Sequence, residues 1–159
     1  MLRKLGYLVA LVVACGVALG QESKSAHVAL APSDMKWGDP PPVFEKGASF
    51  TVVAGDPSKA GFIAVRLKMP AGSKIAPHWH PTDEHATVLS GTFALGMGDK
   101  FDQASMKALP AGGYVLLPAE MRHYAMAATD AIVQVDGQGP FAITYVNPAD
   151  DPSKRTAAK

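Results

Sequence analysis

His78 and His80 stand two residues apart in the stretch Gly72 to Gly91. In an extended strand successive side chains alternate between faces, so both imidazoles point one way while Trp79 points the other. That is a metal-ligand spacing. Pro77 and Pro81 bracket the pair and argue against a helix. Pro81-Thr82-Asp83 reads as a turn, after which Glu84 opens a second strand running back to Ser90-Gly91. A carboxylate at the start of that returning strand can meet the two imidazoles across the hairpin. Two histidines and one carboxylate on converging strands form the ligand set used for non-haem iron and similar divalent ions, with coordination positions left open.

The same residues resemble the first motif of the cupin superfamily, G-x5-H-x-H-x3-E-x6-G, which Gly72, His78, His80, Glu84 and Gly91 fit at every fixed position. The second cupin motif, G-x5-P-x-G-x2-H-x3-N, resembles Gly112 to Ala127: Gly112, Pro118 and His123 fit, while Glu120 replaces the glycine and Ala127 the asparagine. The resemblance implies a double-stranded β-helix, or jelly-roll, barrel of the small bacterial kind. It also implies His123 as a third imidazole ligand from a distant strand, and one divalent transition metal held by His78, His80, Glu84 and His123. The two misfits touch a turn and a non-ligand position.

Strand alternation sorts the neighbours of these residues. His85 follows Glu84 directly and so turns away from the site; Arg122 and Tyr124 flank His123 and turn away likewise. Asp83 and Glu120 read as solvated turn carboxylates, and His27 as a solvated residue of the amino-terminal segment. Trp79 packs against the other sheet or a neighbouring subunit, which allows a homodimer. Met97, Met121, Tyr124, Met126, Phe62, Phe93 and Phe141 are candidates for a pocket wall or for plain core.

The elements that must position the site are short β-prone runs separated by Gly, Pro and Asp, with no window holding an amphipathic helical period. The body, residues 36–147, is all-β. Trp37 to Pro42 is an extended approach segment. Strands are expected over Ser49 to Ala54, Phe62 to Met69, the two motif strands, Thr92 to Met97, Tyr114 to Leu117, Arg122 to Ala128, Ala131 to Val135 and Phe141 to Val146, about ten in two sheets. Phe101 to Lys107 reads as a loop or a helical turn without an assigned role.

The chain has 159 residues. Met1-Leu2-Arg3-Lys4 followed by the apolar run Leu5 to Leu19 reads as a signal peptide over residues 1–20, with Ala18-Leu19-Gly20 as the cleavage site. The run is short for a transmembrane span and no second one follows, so no transmembrane domain is expected. The resulting expectation is a periplasmic or secreted protein. Val12-Val13-Ala14-Cys15 offers the alternative of a lipoprotein anchored at Cys15, the one cysteine. Without Arg3 and Lys4 the 15 Lys and Arg become 13 against 14 Asp and Glu, a formal charge of −1, and no basic cluster points to nucleic acid. Residues 21–35 and the tail 148–159 read as loosely ordered.

Three imidazoles and a carboxylate are of intermediate softness, which leaves Fe, Mn, Ni, Co, Cu or Zn and disfavours calcium or magnesium. Among cupins the arrangement implies dioxygenase-like enzymes acting on a small organic substrate, together with isomerases, lyases and decarboxylases. A non-catalytic module that binds or senses a small ligand, as in the cupin part of some anti-sigma factors, is the alternative.

Overall fold

The computed structural model describes residues 27–155. The leader reading of residues 1–20, with Cys15, lies outside the described residues. Ten strands follow one another: β1 (Ser49–Ala54), β2 (Gly61–Met69), β3 (Lys74–Trp79), β4 (Glu84–Ser90), β5 (Thr92–Met97), β6 (Lys107–Pro110), β7 (Tyr114–Leu117), β8 (His123–Ala127), β9 (Ala131–Gly139) and β10 (Thr144–Tyr145). A helical turn α1 (Pro152–Arg155) ends the described chain.

The strands form two antiparallel five-stranded sheets, ordered β1-β2-β9-β4-β7 and β10-β3-β8-β5-β6. This is the all-β cupin jelly roll that the motifs imply. The apolar positions of β2, namely Ile63, Val65, Leu67 and Met69, are buried, while Arg66 and Lys68 alternate onto the outer face. Burial of each such aliphatic side chain stabilises the fold by about 1.5–3 kcal/mol.

The chain passes between sheets at tight corners. At Gly91, between β4 and β5, φ is 73° and a Cβ would lie 2.0 Å from the Asp130 carbonyl oxygen, so no larger residue fits. The turn after β3 also changes sheet, which corrects the hairpin expected from the sequence. β3 pairs with β8 and β10, whereas β4 pairs with β7 and β9. Glu84 therefore faces the histidines through the barrel interior and not along a hydrogen-bonded ladder. His78 and Glu84 still point inward, because alternation along a strand fixes the face a residue takes whatever strand lies alongside.

Other boundaries differ for local reasons. β9 runs on to Gly139, and the strand expected over Phe141 to Val146 shrinks to Thr144–Tyr145, because Phe141 to Ile143 turn in over the cavity. The stretch Phe101 to Lys107 holds a helical turn over Gln103–Ser105, and β6, which pairs with β5, follows where the sequence offered no strand. The carboxy-terminal tail, expected to be loose, is folded as far as Arg155: Pro152 is buried and the Arg155 guanidinium pairs with Glu45.

Candidate metal centre

Antiparallel pairing sets the site. In the second sheet Tyr145 lies opposite His78, His78 opposite His123, and His123 opposite Met97, and residues directly opposite one another share a face. His80 follows one residue beyond the end of β3, and Glu84 opens β4 on the facing sheet. All four of His78, His80, Glu84 and His123 are buried. The candidate ligand atoms of the three histidines lie within 4.8 Å of one another. Glu84 Oε2 is 3.2 Å from Nε2 of both His80 and His123.

The other ring nitrogens fix the tautomers. Nδ1 of His78 donates to the Ala76 carbonyl at 2.7 Å, that of His80 to Ala142 at 2.8 Å, and that of His123 to Met121 at 2.9 Å. A carbonyl oxygen only accepts, so each neutral imidazole keeps its proton on Nδ1 and presents a lone pair at Nε2. Glu84 Oε2 is accordingly buried without a hydrogen-bond donor, although two nitrogens lie close to it. Buried polar atoms without partners are uncommon in folded proteins. Here three nitrogen lone pairs and a carboxylate oxygen converge with no proton between them, which is what a cation requires. Three neutral imidazoles and one carboxylate carry a single negative charge, and a divalent ion over-compensates it by one. The residues present fit a divalent transition metal.

Protonation energetics agree. Burial pushes His78 down to about 3, aided by the charges of His123 and His80, so it stays neutral far below physiological pH. Burial opposes ionisation of Glu84, but the His123 and His80 imidazoles, each 3.2 Å from Oε2, outweigh it and hold the carboxyl well below the usual carboxylate range.

The site forms one end of a cavity of about 310 Å3. His78, His80 and Glu84 line that end; Ile63, Val65 and Leu67 of β2 with Val133 and Val135 of β9 make one wall. Pro41, Val43 and Phe44 cover it from the approach segment, and Phe141 to Ile143 from the other side. Tyr145 ties the two covers together by donating its hydroxyl to the Val43 carbonyl at 2.7 Å. Phe141 stacks on His80 with ring centroids 4.5 Å apart and planes 17° from parallel. Its ring takes the place a side chain would need at residue 137: a Cβ on Gly137 would lie 3.2 Å from Phe141 Cε2.

Most of the remaining sequence candidates fall outside this chamber. His85 meets the Tyr114 hydroxyl through Nδ1 at 2.7 Å, away from the site. Tyr124 is 1% exposed but points to the outer side of its sheet, where its hydroxyl donates to the Asp102 carbonyl at 3.1 Å and lies 2.8 Å from Ser105 Oγ. Arg122 pairs with Asp99 at 2.6 Å, and Asp83 accepts from the Ala119 amide at 2.8 Å. Trp79 is half-buried and His27 exposed. Of the candidate wall residues, Phe93 and Phe141 line the cavity, whereas Phe62, Met97 and Met121 are exposed. The cover formed by Val43 and Phe44 escaped the sequence reading; its signal is the apolar pair that directly follows the three prolines.

Two sheets closed over an inward-facing trio of histidines and a glutamate define a cupin. The model of the ChrR cupin-like domain matches residues 25–142, and the chain belongs to that family. Comparison with the curated proteins finds no match. Among solved structures the chain is similar to the polyketide cyclase RemF from Streptomyces resistomycificus, at 16% identity and TM-score 0.67 over 83% of this chain and 94% of that one. It is similar to a protein of Methylibium petroleiphilum PM1 provisionally named an acetylacetone dioxygenase, at 21% identity and TM-score 0.62 over 86% and 96% of the two chains. A third likeness is to the Rhodobacter sphaeroides complex of SigE with the anti-sigma ChrR, at 20% identity and TM-score 0.50 over 67% of this chain and 50% of that one. At these identities the likeness is one of fold. No helix among the described residues is long and apolar enough to cross a membrane.

Proposed function

We propose that this chain is an exported mononuclear metalloprotein that holds one divalent transition metal on His78, His80, Glu84 and His123 and acts on a small organic substrate, in the manner of a dioxygenase or related enzyme. The observation that supports this most is the buried carboxylate oxygen of Glu84, set among imidazole nitrogens with no donor and opening onto an apolar chamber. A bound ion supplies a Lewis acid at the chamber's end. The protein's own part is to fix the three rings through their Nδ1 protons, to present neutral nitrogen ligands, and to exclude water with the Phe44 and Phe141 covers. Phe141 holds the His80 ring by stacking on it.

The competing reading is a binding or sensing module without turnover. What favours it is that, among the described residues, the chamber's lining includes no acid or base apart from the proposed ligands themselves. The likeness to the complex containing the anti-sigma ChrR is compatible with such a role. Oxygen uptake by metal-loaded protein with chelating substrates separates the two readings: uptake that depends on both metal and substrate supports the enzyme, and saturable binding without any reaction supports the sensor.

The metal assignment is tested by metal analysis of parent, His78→Ala and Glu84→Gln proteins. One equivalent of Fe, Mn, Ni, Co, Cu or Zn in the parent and none in His78→Ala is the expected result; equal contents would sink the site. Glu84→Gln keeps the shape and an oxygen ligand but loses the charge, so metal is expected to bind more weakly and to be released at higher pH, because a weaker site competes less well with protons. Export is tested by the mass of the mature protein, which begins at Gln21 after cleavage or at a lipidated Cys15.

A further inference from the structure

We infer that the ligand of the chamber is a small, largely apolar molecule whose oxygen donors are gathered at one end, with no charge or hydroxyl-rich segment at the other. The inference rests on the metal reading above only for where the donors go; the rest follows from the lining.

Polarity in the chamber is confined to one end. Beyond His78, His80 and Glu84, every lining side chain is aliphatic, aromatic or proline, and Phe44, Phe50, Phe93 and Phe141 supply four rings. The backbone offers little more. On the sheet side the amides and carbonyls of β2 and β9 are taken up by continuous pairing from Gly61–Gly139 to Met69–Ala131. In the covers, the Ala142 carbonyl accepts from His80 and the Val43 carbonyl from Tyr145. A distal hydroxyl or carboxylate would therefore lose its hydration and find no partner.

The cations of the β2 wall do not turn inward. Arg66 and Lys68 alternate with the wall residues of β2 and so occupy the outer face, where Arg66 Nε donates to Gln134 Oε1 at 2.9 Å and Lys68 Nζ lies 4.5 Å from the Trp37 ring centre. Sugar acids and phosphorylated compounds are thus poor occupants, since each needs a counter-charge along its length. Size sets a further limit, as about 310 Å3 is at the lower end of the roughly 300–1,000 Å3 usual for ligand sites. At the polar end a divalent ion with three neutral imidazoles and one carboxylate leaves one net positive charge. A pair of oxygens that shares a single negative charge after losing one proton would cancel it.

Calorimetric binding with three probes tests this. Metal-free protein is titrated with butylbenzene, which has no donor atoms and reports on the apolar chamber alone. Metal-loaded protein is titrated with 1-phenyl-1,3-butanedione and with its para-carboxylate analogue, which differ only in charge at the distal end. We expect butylbenzene to bind the metal-free protein and the neutral dione to bind the loaded protein at least about tenfold more tightly than the carboxylate, which must bury an unpaired charge. Ile143→Arg, at the half-buried cover, should narrow or reverse that preference with metal content unchanged; should this variant fail to fold, the parent's probe pair still decides. Equal or tighter binding of the carboxylate by the parent overturns the inference. So does metal-loaded protein that binds neither dione while metal-free protein ignores butylbenzene. Failure to hold metal while butylbenzene still binds overturns the metal reading and supports the apolar chamber.

Discussion

Strands β4 and β8 each carry two polar residues side by side that meet opposite fates. Glu84 and His123 turn into the barrel and face each other at 3.2 Å with no proton between them, whereas His85 and Tyr124, the next residue in each case, turn outward and satisfy themselves locally. The inward pair is left wanting a cation. The outward pair is complete with the Tyr114 hydroxyl on one side and the loop carrying Asp102 and Ser105 on the other. Chemical type does not separate these residues, since both pairs include an imidazole and an oxygen group. Position on the pleat does, because it decides whether the neighbours are lone pairs or donors.

The largest contrast is expected between His123→Ala and Tyr124→Phe. The first should weaken metal binding by more than about a hundredfold, exceeding the upper range seen when only an outer partner of a ligand is lost. The second should leave metal content unchanged and reduce stability by about 1 kcal/mol, the worth of a hydroxyl hydrogen bond. Metal content by elemental analysis and urea denaturation of the metal-free proteins check the pair; loss of metal in Tyr124→Phe would break the comparison.

Acidification probes the inner face by itself. The folded value of His78, about 3, lies below the ordinary 6.5, so the unfolded chain takes up the proton first. Stability of the metal-free protein should fall between about pH 6.5 and 3, and by about 3 kcal/mol at pH 4.5, given ~1.4 kcal/mol for each unit of difference. Glu84 is depressed in the other useful sense: its contribution is present above the ordinary carboxylate value and is lost only as pH falls through its lower folded value. The slope above pH 4.5 thus belongs to His78, and His78→Gln should flatten it in denaturant titrations at pH 7 and 4.5.

The smallest effect concerns the second motif's turn. Glu120 stands where the motif has glycine and adopts φ 63°, with its amide donating to the His80 carbonyl at 2.8 Å. The left-handed conformation costs a non-glycine residue about 1–2 kcal/mol, part of which glycine returns as extra freedom in the unfolded chain. Glu120→Gly should therefore stabilise the protein by about 0.5 kcal/mol with metal binding intact, as thermal melts of the metal-free form would show.

That turn also illustrates how far the sequence carries. The departure from glycine was visible at Glu120, and so were the faces of His78, His80, Glu84 and His123, because alternation and spacing are local properties. The sheet to which each strand belongs was not visible. A Pro81-Thr82-Asp83 turn looks the same whether it closes a hairpin or bridges two sheets, and only pairing with β8, some 45 residues on, decides. The chamber's covers were hidden for a similar reason. Val43 and Phe44 gain their meaning from Tyr145, and Phe141 from His80, contacts between distant parts of the chain that no window of the sequence contains.

The groups that aim the three imidazoles are main-chain carbonyls of Ala76, Met121 and Ala142, and every amino acid brings such a carbonyl with it. Genetic drift at positions 76, 121 and 142 can change the side chain without deleting the oxygen that orients a ring. A saturation library selected for metal retention would then show intolerance at 78, 80, 84 and 123 beside broad tolerance at the three aiming positions. The centre is thereby shielded from the commonest kind of inherited damage at three of its seven working parts.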